Sequence, residues 1–394
     1  MPGESILSNT AFQMSLLMFV ALAGYLIAYR INQSAVVGII IAGIIVGPSL
    51  LGWITYTDFV STLGNLGAIV LLFTIGLEFN LKDILKIRYF FIALFGVIVP
   101  ACCGYFLAVL FDFDFKASIL VGTALTATSI AITANVLREM GKLQTETAKA
   151  IIGAAVIDDV LALLALSISR GLVSGDLSAV DIVVAAAKAI GFLVIGVLVG
   201  KFLLGRLITR LDKTKLAAKY PESIFIFAIM VAFFYAVVAE LIGLSAIVGS
   251  FLAGACLEGT NLLRGKVFKE GAEHLQIIFA SIFFVSLGVI MDFHAVNISL
   301  IWFILALCAV AILSKIIGCG IPALVQRTNI RDSMIIGVGM VPRGEVAMIV
   351  ALIGLNLGIL NQSAYTALVL MSLITTIIAP IILRNWLYKV KPST

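Results

Sequence analysis

Apolar residues along this chain come in long unbroken runs. They lack the two-residue alternation of a membrane strand. Thirteen runs stand out, at 10–29, 35–52, 62–79, 89–110, 117–138, 146–169, 180–205, 221–241, 243–258, 272–291, 299–322, 330–358 and 363–386. Most approach the length, about 20 residues, that a helix needs to cross a bilayer. The pattern predicts an all-α integral membrane protein with 13 transmembrane helices. Only Gly243 marks the turn between the eighth and ninth runs. The first run is too long for a cleaved signal peptide, and Glu4 precedes it where a basic region belongs.

The second and ninth runs share a pattern. Val37-Gly38-Ile-Ile-Ile-Ala42-Gly43 matches Val248-Gly249-Ser-Phe-Leu-Ala253-Gly254 as V-G-x-x-x-A-G. Small residues four apart let helix backbones approach closely. Seven runs separate the two, so they cross in opposite directions. Pairing them sets the first six spans against the last six, as inverted six-helix repeats, and leaves 180–205 as a linker. The same register pairs the fifth span, Gly122-Thr-Ala-Leu-Thr126-Ala-Thr128-Ser129, with the twelfth, Gly337-Val-Gly-Met-Val-Pro342-Arg343-Gly344-Glu345. Both are interrupted near the middle. Broken helices survive at membrane depth only where they line a cavity or are buried in protein, and paired breaks point to a transport site. Thr128 and Ser129 read either as hydroxyls freed at such a break or as back-bonding hydroxyls of an unbroken helix.

Composition changes the picture only by excluding a soluble fold. The 394 residues are 62% hydrophobic and 12% charged, against roughly 45–50% and about 25% in soluble domains, and the mean hydropathy is +1.19. The net charge of +5 matters through its distribution. Most of the 26 lysines and arginines fall in loops on one side, among them Lys82, Lys86, Arg138, Lys201, Arg206, Arg210, Lys213, Arg264 and Lys391. The opposite loops carry Glu4, Asp58, Asp112, Asp114, Asp176, Asp181 and Asp292. The positive-inside rule puts the N-terminus outside and the C-terminus in the cytoplasm. No nucleic-acid patch emerges. Cys102, Cys103, Cys256, Cys308 and Cys319 match no metal or redox spacing and read as small packing residues; His274 and His294 lie in or near loops.

Five ionisable residues fall deep in the runs: Asp158, Asp159, Lys315, Arg343 and Glu345. Each mid-membrane Asp, Lys or Arg costs about 2.5–3.5 kcal/mol to insert, so lipid-facing placement is excluded. Adjacent helical residues point about 100° apart, which lets Asp158 and Asp159 face different partners. One aspartate can meet Lys315, unless that lysine snorkels to the interface. The other is left to hold either a proton or a hard cation such as sodium or lithium, since oxygen ligands suit those ions. Arg343 and Glu345 read as compensators of half-helix dipoles.

The set Gly122-Thr-Ala-Leu-Thr-Ala-Thr-Ser129, Gly153-Ala-Ala-Val-Ile-Asp158-Asp159-Val, Ser314-Lys315-Ile-Ile-Gly and Pro342-Arg343-Gly344-Glu345 resembles the monovalent cation:proton antiporter-2 family, in its NapA-type sodium/proton antiporters. The resemblance covers essentially the whole chain. It implies an NhaA/NapA-like fold with two broken crossing helices, a homodimer in the plasma (cell inner) membrane, elevator-type alternating access and no cofactor or enzymatic activity beyond moving Na+ or Li+ against H+. It implies a dimerisation panel at 1–79 and 221–291, a core at 89–170 and 299–394, and a linker helix with its loop at 180–220. By the same resemblance Asp159 is the main ion- and proton-binding carboxylate and Asp158 pairs with Lys315, with Thr128 and Ser129 in the unwound segment. The Asp-Asp pair resembles the electrogenic subset, which implies two protons per sodium. A potassium/proton antiporter remains the alternative, ahead of a sodium-coupled solute symporter.

Overall fold

Inside a bilayer a backbone must satisfy its own hydrogen bonds, so continuous apolar sequence winds into helices and breaks only where protein can take over the freed groups. The computed structural model describes residues 9–389 except 85, 176–177, 261, 264, 292 and 296–300. The side chains of 83, 84, 266, 267, 269, 295 and 345 also fall outside the description. The loop charges Glu4, Asp176, Arg264, Asp292 and Lys391 therefore lie outside the described residues.

The first half comprises α1 (Thr10–Arg30), α2 (Ala35–Val46), α3 (Asp58–Gly76), the single turn α4 (Leu81–Ile84), α5 (Ile87–Leu110), α6 (Phe115–Ala124), α7 (Ile130–Glu139) and α8 (Glu146–Ser174). Next come α9 (Ala179–Leu198), a wide π turn (Val199–Leu204), α10 (Gly205–Asp212) and α11 (Lys215–Lys219). The second half comprises α12 (Glu222–Leu241), α13 (Ala246–Leu257), α14 (Gly265–Val289), α15 (Ile301–Val325), α16 (Ile330–Gly339), α17 (Glu345–Asn356) and α18 (Gln362–Ile382).

Among the described residues, nine helical segments are long and apolar enough to span a membrane. The other four runs fold as shorter pieces. In 35–52 the helix stops at Val46, ahead of Gly47-Pro48, because proline disfavours helix in the residue before it. In 243–258 it starts only at Ala246, after Gly243 turns the chain at φ +91°. Runs 117–138 and 330–358 break in the middle. Two ends differ in the other direction: 180–205 continues without a break to Asp212, and α14 starts at Gly265, so His274 is helical. The cysteines divide. Cys256, Cys308 and Cys319 are buried, but Cys102 is exposed and Cys103 half-exposed on α5, so that pair faces outward and does not pack.

Packing separates the helices into two groups. One contains α1, α2, α3, α12, α13 and α14; the other contains α5 to α8 and α15 to α18. Between apolar helices in lipid the attraction is close packing rather than water exclusion, and small residues supply it. A Cβ on Gly38 of α2 would collide with the carbonyl of Gly24 on α1, and one on Gly249 of α13 with the carbonyl of Tyr235 on α12. One turn on, Gly43 of α2 sits against α14 at Val285 and Gly288, and Gly254 of α13 against α3 at Phe73 and Gly76. The two V-G-x-x-x-A-G helices thus make matching contacts.

Candidate functional site

The two helix breaks meet inside the second group. Leu125 to Ser129 separates α6 from α7, and Met340 to Gly344 separates α16 from α17. Each break supplies what the other lacks. The Ser129 N–H donates to the Pro342 carbonyl at 2.8 Å. The Thr133 hydroxyl donates to the Gly339 carbonyl at 2.6 Å, and the Thr128 hydroxyl approaches the Met340 carbonyl at 3.4 Å. Arg343 is 1% exposed. Its guanidinium donates to the carbonyls of Leu125, of Ala127 at 2.7 Å and of Ala311 at 3.2 Å. It therefore lies at the carbonyl end of α6, where the helix dipole is negative. The Arg343 carbonyl in turn accepts from the Thr376 hydroxyl at 2.8 Å. The backbone of Glu345 starts α17, but its side chain lies outside the described residues.

Asp158 and Asp159 lie on α8 beside this crossing and face different surroundings. Lys315 Nζ on α15 donates to Asp158 Oδ1 at 2.9 Å, with both side chains sealed from the surface. The lysine does not snorkel. Asp158 Oδ2 is buried without a hydrogen-bond partner, and Thr128 and Arg343 are the next polar groups acting on that carboxylate. Gly96 on α5 makes room for the pair: a Cβ there would stand 2.6 Å from Cys319 Sγ, 3.7 Å from Lys315 Nζ and 3.9 Å from Asp158 Oδ1.

Asp159 instead faces a cavity of about 20 Å³, shared with Thr128, Ser129, Ile130, Ser245, Ile247, Val248, Gly344 and Val346. That volume holds one water-sized occupant. Three helices begin at its wall: α7 after Ser129, α17 after Gly344 and α13 after Ser245. Helix N-termini carry partial positive charge and favour anions. The Ser245 N–H approaches Asp159 Oδ2 at 3.4 Å. Asn9, Thr57, Asp114, Thr145, Asn329 and Asn361 each cap their own helix with a side-chain oxygen, whereas Ser129 and Gly344 make no such cap. The two core helices that open onto Asp159 therefore do so without a capping side chain of their own.

Every nearby donor is an oxygen, which suits a hard, weakly coordinating cation. Among the described residues no three His, Cys, Asp or Glu side chains converge as a metal site. A cation in this cavity would meet Asp159 together with hydroxyl and carbonyl oxygens. Asp158, Asp159, Thr128, Ser129, Lys315 and Arg343 all gather at one place. Sequence reasoning passed over Gly96 and Ser245. Gly96 is one of 34 glycines with no pattern to single it out. Ser245 did carry a signal: it stands just ahead of the V-G-x-x-x-A-G helix, as Ser34 does in the other half.

Residues 16–389 match the model of the transmembrane sodium/hydrogen exchanger family. The chain is 35% identical over 376 residues to the Na(+)/H(+)-K(+) antiporter GerN of Bacillus cereus, covering 95% of each protein. It is 31% identical to a Na(+)/H(+) antiporter of Enterococcus hirae, covering 92% of this chain and 94% of that one. In fold it is similar to the sodium proton antiporter MjNhaP1 of Methanocaldococcus jannaschii, with a TM-score of 0.76 at 16% identity, covering 98% of this chain and all of that one.

Proposed function

The chain belongs to the sodium/hydrogen exchanger family, and on that premise we propose that it exchanges sodium for protons at a site built on Asp159 and Asp158. Sodium/proton antiport is the activity that its full-length relatives carry in their names, and they are transporters, not enzymes. The observation that carries the site is the placement of two buried carboxylates, one paired with Lys315 and one facing a single-occupant cavity, where two helix breaks cross. A proton or a sodium ion can neutralise Asp159, and the small cavity does not admit both. That exclusion couples the two flows. A sodium ion held at Asp159 brings positive charge next to Asp158, its neighbour on α8 and the partner of Lys315. Its charge competes with the Lys315 ammonium for that carboxylate, so the pair can release a second proton. Two protons against one sodium move one net charge, which is the electrogenic reading.

The finer assignments rest on the same footing. The matching contacts of α2 and α13, and the breaks in α6–α7 and α16–α17, support 13 crossings arranged as inverted six-helix repeats of the NhaA/NapA-like kind. The Asp-Asp pair and its lysine support the NapA-type branch of the antiporter-2 group. The two packing groups support a panel at 1–79 and 221–291 and a core at 89–170 and 299–394, with 180–220 as the linker. The core slides against the panel as an elevator, in a homodimer of the plasma membrane with the N-terminus outside.

The test is exchange in proteoliposomes, read from a pH-sensitive dye trapped inside after sodium, lithium or potassium is added. Wild type should respond to sodium and lithium, and Asp159→Asn should lose at least about 100-fold of the rate. A response to potassium as large as that to sodium would select the potassium/proton alternative. Exchange by Asp159→Asn at the wild-type rate would remove the site.

A further inference from the structure

The basic face of the protein holds a second cavity, of about 550 Å³, remote from the aspartates. It is lined by Lys201 in the π turn, by Arg206 and Arg210 of α10, by Lys213 just past it, by Asn80 ahead of α4 and by Glu258 at the end of α13. The π turn places Lys201 against Cys256, on the same opening as the α10 cations. Arg206, Arg210 and Lys213 recur at helical spacing along one face of α10.

Four cations elsewhere on this face are paired. Lys86, Arg88 and Lys149 lie within 3.6 Å of Glu146, and Arg138 lies 3.0 Å from Glu78. Lys201, Arg210 and Lys213 have no ion-pair partner among the described residues, and Arg206 rests over the Phe202 ring at 5.8 Å. Glu258 offsets one of the four charges. The carbonyl end of α13 contributes about half a negative charge more. An excess of roughly two to three positive charges is left around this open cavity.

We propose that this cavity binds phosphate groups carrying about two negative charges, supplied by the headgroup of an anionic phospholipid. Arg and Lys clusters recognise phosphate through charge-assisted hydrogen bonds, and basic pockets between transmembrane helices on one leaflet hold such headgroups. The lipid source is favoured by the rim. Leu198, Val199, Phe202 and Leu203 are exposed apolar side chains directly beside Lys201 and Arg206, so acyl chains would lie on α9 while the headgroup enters the cavity. Two phosphodiesters of one twin-headed lipid match the charge, as does one phosphate monoester in solution. The proposal is independent of the antiport reading.

The experiment melts the purified full chain in non-ionic detergent with cardiolipin, phosphatidylcholine or inorganic phosphate at matched ionic strength. Cardiolipin at about 100 times its dissociation constant should raise the melting temperature by roughly 3 °C, and phosphatidylcholine should not. Lys201→Gln/Arg210→Gln/Lys213→Gln should lose that rise, while a charge-matched control, Arg30→Gln/Lys142→Gln/Lys389→Gln, should keep it. The single variant Arg210→Gln, at an exposed position, should weaken the rise and guards against a folding defect in the triple one. A rise with inorganic phosphate alone would assign the same cavity to a soluble phosphate and overturn the lipid source. An undiminished cardiolipin effect in the triple variant, or equal loss in the control, would overturn the site.

Discussion

Deleting Lys315 should destabilise the protein more than deleting both members of its pair. Lys315 Nζ stands 2.9 Å from Asp158 Oδ1, and the two residues are 0% and 1% exposed. Lys315→Ala leaves a buried carboxylate whose Oδ2 already lacks a hydrogen-bond partner. Breaking a buried pair from one side costs about 3–5 kcal/mol. With about 2.1 cal/mol/K of unfolding entropy per residue, the 394 residues turn that loss into a fall of roughly 4–6 °C in melting temperature. Asp158→Asn strands the ammonium instead and should cost a similar amount. In Asp158→Asn/Lys315→Met no charge remains to be desolvated, so the double variant should melt within about 1 °C of wild type or above it. The assay is thermal melting in detergent, with all four proteins at one pH and salt concentration. A double variant that loses the sum of the two single losses would refute the reasoning, because the residues would then contribute separately.

Two further predictions concern coupling and space. If one net charge moves per cycle, clamping vesicles at 100 mV supplies about 2.3 kcal/mol per turnover; the steady sodium gradient should shift roughly 50-fold, and a gradient indifferent to voltage would mean electroneutral exchange. Gly96→Ala puts a Cβ 2.6 Å from Cys319 Sγ, an overpacking that costs about 1–3 kcal/mol; its melting temperature should fall, Cys319→Ala should restore it, and no rescue would place the clash elsewhere.

The parts of the site that were legible in sequence are those that membrane depth makes expensive. Asp158, Asp159, Lys315 and Arg343 stood out because lipid penalises each of them, and Pro342 and Gly344 because neither continues a helix readily. Helix ends were legible only where such residues stood. Gly47-Pro48 explains the early end of α2, but nothing in Val199–Leu204 announces the π turn that carries α9 on into α10. Gly96 and Ser245 were missed for a different reason. Their importance comes from what α5 and α13 pass near, Cys319 and Lys315 in one case and Asp159 in the other. A single sequence does not encode that proximity in any local pattern. Cys102 shows the same limit from the opposite side, since an apolar small residue in a span reads alike whether it packs or meets lipid.

The distribution of strong and weak polar contacts is what a sliding core requires. The buried Asp158–Lys315 pair joins α8 to α15, both in the proposed core, so a rigid-body movement leaves it intact. Arg343 likewise ties α6 to the α16–α17 break within the same group. Contacts that cross to the panel are lighter. Asp159 reaches the Ser245 N–H at 3.4 Å, Arg138 reaches Glu78 and Gln276, and Glu139 reaches Ser34 and Ala35. Partly exposed hydrogen bonds and ion pairs of this kind contribute about 0.5–1.5 kcal/mol each. Breaking several of them together costs only a few kcal/mol, the same order as the energy of one charge crossing 100 mV. The Asp159 contact belongs to the proposed ion site. An occupant that neutralises the Asp159 carboxylate weakens its attraction to the α13 N-terminus, so loading with either sodium or a proton loosens the crossing contact that the ionised, empty site keeps. In the proposed elevator an empty core would thereby be held in place and a loaded one released, and that difference would make the movement an exchange instead of a leak.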